Sequence, residues 1–246
     1  MSALNDIAVE TASLRDLHRL CKEAQTWGIP LVVIGGYAVR AYTKGYRFTK
    51  DIDLVTTKEA LGRFKALLRN LGYTYRTTDF GIAGCKKFDD GFIDLHISVG
   101  EVLDISTGIT FPVTAEFFAK AKNLVMKGYY EESGSLTADG PVAAIEFMLI
   151  LKLIPKGRVK DVVDLTSLII DRRNDVDKKT LSNQCKASDL RNHIISQLRA
   201  YANLIRKSEV EKLWFNLTGL RLSYSERRGI MSFVRTLIDV LSKDDT

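Results

Sequence analysis

Two carboxylates one residue apart, in Lys50-Asp51-Ile52-Asp53-Leu54-Val55, follow a Gly35-Gly36 pair along this chain. Side chains alternate across a strand, so Asp51 and Asp53 project to one side while Ile52 and Leu54 face the interior. Like charges held that close repel, and divalent cations relieve the repulsion. Hard oxygen ligands of this kind suit Mg²⁺ bound jointly with substrate phosphates. The glycines supply the complementary half: without side chains they let the backbone approach an anion, and the positive end of a following helix favours it. Together these residues predict phosphoryl or nucleotidyl transfer.

The elements that position these groups are legible in outline. Leu14, Leu17, Cys21 and Ala24 recur at helical spacing within residues 8–27, and Gly28-Ile29-Pro30 ends that helix. Leu31 to Ile34 reads as a buried strand and Tyr37 to Thr43 as a short helix, so the glycines lie at a strand-to-helix turn. Lys50 to Val55 is the carboxylate strand, and Lys58 to Leu71 an amphipathic helix closed by Gly72. Strands follow over 73–78, 83–88 and 91–98, with Asp89-Asp90-Gly91 as the hairpin turn. Ile109 to Val113 reads as a further strand, Thr114 to Asn123 as a short helix, and the stretch to Gly140 as irregular or β. From Pro141, suited to a first helical position, the pattern is helical: Val142 to Ile154, Arg158 to Arg172, a polar stretch around Lys179 to Ser188, then helices near 189–207, 208–218 and 223–242. The expected architecture is α+β. A small mixed sheet with flanking helices, residues 1–140, precedes an all-helical half, residues 141–246.

A third acid belongs with the first two. In the 91–98 strand Phe92, Asp94 and His96 share one face and Ile93, Leu95 and Ile97 the other. Asp94 among apolar neighbours needs compensation, either from a metal shared with Asp51 and Asp53 or from His96. With Gly35-Gly36, Asp51-Ile52-Asp53 and Asp94 in this order, the chain resembles the DNA polymerase beta superfamily of nucleotidyltransferases. Arg47-x-Thr49-x-Asp51-x-Asp53 after Gly-Gly is most similar to the AbiEii group of abortive-infection toxins and to aminoglycoside nucleotidyltransferases. The AbiEii likeness extends through Lys152, Lys156, Arg158 and Lys160-Asp161-Val162-Val163-Asp164.

The resemblance implies attack of an acceptor hydroxyl on the α-phosphorus of a nucleoside triphosphate, assisted by two Mg²⁺ ions held by Asp51, Asp53 and Asp94. Gly35, Gly36 and Lys152, helped by Arg47 or Thr49, are then expected to cradle the β- and γ-phosphates. Relatives place Ser or Thr after a glycine to touch phosphate; this chain has Tyr37, so contact falls to backbone N–H groups. Read from the residues alone, Lys152 sits in an apolar helix and needs an anion, which triphosphate or a carboxylate of Asp161 or Asp164 could supply. Arg47 could hold phosphate or a carboxylate. Arg40 and Lys44 are expected at the surface. The toxin likeness points to tRNA as acceptor; a protein hydroxyl and an aminoglycoside-like small molecule are alternatives, as is a catalytically silent nucleotide- or RNA-binding protein. A neutralising antitoxin is a further expected partner.

The composition narrows the class. The 246 residues, 46% hydrophobic, suffice for one large or two modest globular domains. No apolar run approaches the ~20 residues of a membrane span, and Met1 to Asp6 lacks the charged and apolar regions of a signal peptide, so a cytoplasmic protein is expected. Cys21, Cys85 and Cys185 are widely separated, which disfavours a disulfide framework and zinc. His18, His96 and His193 have no nucleophile at triad-like spacing. The net charge of +6 is carried entirely by the second half: Lys+Arg and Asp+Glu number 18 and 18 in residues 1–155, but 18 and 12 in residues 156–246. That excess suits a polyanion or a solvated helical surface.

Overall fold

The structure, a computed structural model, describes residues 3–88, 91–129 and 136–243. The expected turn residues Asp89 and Asp90 lie outside them, as does 130–135 of the stretch expected to be irregular or β. The described residues divide into two compact units. One comprises Met1–Ala41, Phe48–Leu103 and Thr110–Ala144; the other comprises Tyr42–Arg47, Asp104–Ile109 and Ile145–Thr246.

The first unit is built on a sheet. Helix α1, Ala3–Thr26, buries Leu14, Leu17, Leu20 and Ala24 along one stripe. It ends in a Schellman motif: Gly28, at φ +60°, donates to the Gln25 carbonyl, and Ile29 donates to the Ala24 carbonyl at 2.8 Å. Strand β1, Leu31–Ile34, is buried throughout and passes directly into α2, Gly35–Tyr42. Then come β2, Ile52–Thr56; α3, Leu61–Asn70; β3, Thr74–Thr78; β4, Gly81–Phe88; and β5, Gly91–Val99. Strands β6, Glu101–Asp104, and β7, Ile109–Pro112, form a separate two-stranded sheet, followed by α4, Ala115–Ala119, β8, Lys122–Lys127, and β9, Thr137–Val142. The main sheet has the order β3-β4-β5-β2-β1-β9-β8. Strand β2 runs antiparallel to β1 and parallel to β5, placing Asp53 opposite both Ile34 and His96. On β5 the burial alternates as its sequence predicts: Ile93, Leu95 and Ile97 are buried, Asp94 is half-buried, and Phe92 and His96 are exposed.

The second unit is helical: α5, Ile145–Leu153; α6, Val159–Arg172; α7, Lys178–Ala187; α8, Arg191–Arg206; α9, Glu209–Thr218; and α10, Tyr224–Lys243. Mixed sheet and helices thus agree with the expected α+β class, with local departures. The strand β6 is additional. Pro141 does not start a helix; it lies in β9 opposite Asn123, and α5 begins at Ile145. Pairing of β9 with β8 overrides the helical pattern there, and the register with β1 is confined to Val33 and Val142, so the missing proline N–H disrupts little of the ladder. The polar stretch around Lys179 is also a helix, α7. Asp177 caps it by accepting from the N–H groups of Lys179 and Thr180, and Leu181 and Cys185 anchor its inner side. No helix among the described residues is long and apolar enough to cross a membrane.

Candidate active site

The glycine turn and the aspartate strand meet at atomic contact. Gly35 adopts φ +71°, a conformation L side chains rarely hold, and a β-carbon there would overlap the Asp53 carboxylate. A β-carbon on Gly36 would come within 2.5 Å of Thr49 Oγ1. Both glycines are therefore required by the closeness of the segment that carries the acids. Thr49 is buried and packs on Gly36. Tyr37 points inward, with its ring buried and its hydroxyl bonded to Ser13, so the phenol is not presented beside the turn. Burial raises its pKa above the ordinary tyrosine value. Gly35→Ala is expected to destabilise the fold by at least about 2 kcal/mol, from the left-handed backbone plus the overlap with Asp53, measured as a lowered midpoint in urea.

Asp51 precedes the first residue of β2 rather than lying within it, and is half-buried. Asp53, on the strand, forms an ion pair at 3.4 Å with Nδ1 of His96 on β5. The imidazole is the group whose role the sequence pattern understates: its position two residues after Asp94 puts it on the same face, but its partner is Asp53. Its pKa is raised, first by Asp53 and then, against partial burial, by the charges of Asp51 and Asp94. The negative charges of all three acids thus favour the protonated imidazole of His96. Asp94 lies in register with Cys85 of β4 on that face. Among the described residues no three His, Cys, Asp or Glu side chains are gathered closely enough to form a ready metal cage. The donors are nonetheless of the right kind for Mg²⁺: hard carboxylate oxygens from β2, the residue just before it, and the adjacent β5.

The expected phosphate cations belong to the helical unit, where they face carboxylates. Arg47 binds Asp164 bidentately, Nε to Oδ1 at 2.6 Å and a terminal nitrogen to Oδ2 at 2.6 Å. The Lys152 ammonium lies 2.8 Å from Asp164 and 3.0 Å from Asp161, and Asp161 also pairs with Arg158. Burial alone would raise the pKa of Asp164, but Lys152 and Arg47 outweigh it and hold the carboxyl below its ordinary range. Burial would likewise lower Lys152, but Asp164 and Asp161 outweigh it and raise it. Of the two anions open to Lys152, the structure supplies the carboxylates.

Nearby residues of the same segment are also held in this unit. Tyr46 donates its hydroxyl to Asp171 and packs on the buried Trp214, ring centroids 4.7 Å apart, while the Lys44 N–H donates to Asp171. Arg40, in the sheet unit, is not at the surface. Its side chain is 3% exposed, donates to Glu10 at 2.6 Å and lies over the rings of Tyr37 and Tyr129. A half-buried helix end draws a long cation inward when a carboxylate meets it there.

A strand-to-helix glycine turn set against strand carboxylates on a mixed sheet defines the catalytic core of a nucleotidyltransferase. Residues 19–228 match the family profile described as Nucleotidyl transferase AbiEii toxin, Type IV TA system, and the chain belongs to that family. It is accordingly an enzyme that transfers a nucleotidyl group. Among solved structures, the crystal structure of JHP933 from Helicobacter pylori is similar with a TM-score of 0.50 at 16% identity, over 95% of this chain and 94% of that one, which shows a shared fold. The solution structure of the antibiotic-resistance factor ANT(2'')-Ia aligns at a TM-score of 0.43 and 17% identity, over 81% of this chain and 98% of that one. The curated proteins contain no match.

Proposed function

We propose that this chain transfers a nucleoside monophosphate from a nucleoside triphosphate to a hydroxyl of an RNA acceptor, tRNA foremost, as the toxin of a toxin–antitoxin pair. The observation that carries the reading is the approach of Gly35 to Asp53, on the face that also bears Asp94. Asp51, Asp53 and Asp94 are the residues that would hold Mg²⁺. When bound, Mg²⁺ supplies Lewis-acid charge at the phosphate oxygens and lowers the pKa of the acceptor hydroxyl.

The chain's own groups do the rest. Backbone N–H groups of the Gly35-Gly36 turn receive phosphate oxygens, aided by the start of α2. Asp94 receives the proton of the acceptor hydroxyl. The acceptor oxygen bonds to the α-phosphorus as the bond to the bridging oxygen of the β-phosphate breaks, and pyrophosphate leaves with that electron pair. Thr49 holds Gly36 in place. Arg47 and Lys152, occupied by Asp164, set the helical unit's internal geometry instead of gripping phosphate.

Purified protein incubated with each α-labelled nucleoside triphosphate, Mg²⁺ and total tRNA is expected to place label on RNA. Label on a polypeptide, or on an aminoglycoside supplied in place of RNA, would reassign the acceptor. Tight triphosphate binding without transfer to any acceptor would make the chain a silent binder and refute the reading.

A further inference from the structure

Directly after the glycine turn, α2 is fastened to α1 through polar groups withdrawn from water. Glu10 and Ser13 stand on adjacent turns of α1, Tyr37 and Arg40 on adjacent turns of α2, and all four are buried. Arg40 donates to Glu10 Oε1 at 2.6 Å and to the Lys127 carbonyl at 3.1 Å, while the other Glu10 oxygen accepts the Tyr129 N–H at 2.8 Å. One carboxylate thus ties both α2 and the chain following β8 to α1. Ser13 donates its hydroxyl to the Glu10 carbonyl, so the Tyr37 phenol is the donor in its bond to Ser13. Burial is the largest influence on that phenol, but the charges of Arg40, Glu10 and Asp51 also act on it. The network therefore lies within electrostatic reach of Asp51. Cohesion alone explains it poorly, because a buried ion pair adds little net stability over apolar side chains of the same volume.

We propose that Glu10 and Ser13 are positioning residues for the transferase: acting through Arg40 and Tyr37, they fix α2 so that the N–H groups of the Gly35-Gly36 turn meet the triphosphate. The inference rests on the transferase reading above. Strand β1 is locked in the sheet between β2 and β9, and the two glycines that follow it are the residues with the least backbone restraint of their own. With eight residues, α2 is too short to hold its geometry unaided. The turn is thus a hinge whose angle is set by whatever grips the helix beyond it. Asp53 and Thr49 limit its approach to the acid segment, and the paired contacts of Tyr37 and Arg40 with α1 set the direction of the helix. The clamp acts on the triphosphate and not on the acceptor, because the groups it aims are the N–H donors of the turn.

The test uses the full-length chain and asks for a defect that outlasts the repair of stability. Glu10→Leu combined with Arg40→Met removes both charges at similar volume and is expected to keep a urea midpoint near that of the wild type. Its affinity for inorganic tripolyphosphate with Mg²⁺, measured by titration calorimetry, is expected to fall roughly tenfold or more, and kcat/KM for the nucleoside triphosphate roughly 10- to 100-fold, as the turn is misaimed. The KM of the acceptor should not change. Tyr37→Phe, which keeps the ring and every charge, is expected to weaken tripolyphosphate binding in the same direction by a smaller factor, and it decides the matter where the double variant does not fold. Wild-type tripolyphosphate affinity in either folded variant, an acceptor KM that rises with that of the triphosphate, or wild-type protein that does not bind tripolyphosphate each overturns the assignment. Tripolyphosphate bound more tightly by the wild type than by the variants, with label on no acceptor, sinks the transferase reading and leaves the clamp; label on an acceptor with equal affinities sinks the clamp alone.

Discussion

Asp53→Asn is expected to lower nucleotidyl transfer at least about 1,000-fold, a loss of roughly 4 kcal/mol of transition-state stabilisation, while the protein stays folded. Removing one negative charge weakens the hold on a divalent cation, and the amide keeps the volume that fits beneath Gly35. Stability should change little. Asp53 is about one-third exposed on its side chain, and its ion pair with the more exposed His96 is screened by water. The measurement pairs label incorporation with urea unfolding. Turnover within tenfold of wild type in the Asn variant would remove Asp53 from the catalytic set.

The largest expected effect on stability lies in the helical unit. Asp164 is buried and meets both Arg47 and Lys152, so Asp164→Ala takes away the bidentate carboxylate of Arg47 and leaves Lys152 with Asp161 as its one remaining carboxylate here. Loss of one partner of a buried ion cluster costs about 3–5 kcal/mol. Replacing Asp164 by Leu together with Lys152 by Met and Arg47 by Met should cost less, because both cations leave with their carboxylate and Asp161 keeps its pair with Arg158. The pH dependence follows from the two shifts. Asp164 has a depressed folded pKa, so its contribution is complete above the unfolded carboxylate value near 3.9 and is lost as pH falls through its lower folded value. Lys152 has a raised folded pKa, so its contribution is complete below about 10.4 and is lost as pH rises through its higher folded value. Unfolding free energies measured from pH 2 to 11 should therefore show an acid decline in the wild type that is shallower in Asp164→Ala. Equal acid slopes in the two proteins would contradict the assignment.

What the sequence reveals and what it hides divide along physical lines. The acid strand and its neighbour are readable because alternation is a local property: Ile93, Leu95 and Ile97 against Phe92, Asp94 and His96 specify the two faces without knowledge of the fold. The glycine turn is readable for the same reason. Partner choice is not local. Arg47 reaches Asp164 across 117 positions and Arg40 reaches Glu10 across 30, and no periodicity encodes such pairs. Lys152 shows the intermediate case. Its need for an anion is evident from its apolar neighbours, but Asp161 is nine residues on, past the Pro155-Lys156-Gly157 break, and only the angle between α5 and α6 decides that the carboxylates arrive. Pro141 fails for a third reason, since its rigid ring is compatible with a helix start and with a sparsely bonded strand alike.

The knot formed by Arg47, Lys152, Asp161 and Asp164 also bears on how such proteins diverge. Replacing Asp164 or Lys152 by itself unbalances a buried set of charges, so the path from one sequence to another runs through a folding penalty unless several positions change at once. Descendants should inherit the set entire or exchange it wholesale for oily side chains, even where the chemistry on the sheet has been abandoned. A basic and acidic signature persisting in the helical half is then a mark of ancestry and folding, and an inactive relative could carry it as faithfully as a working enzyme.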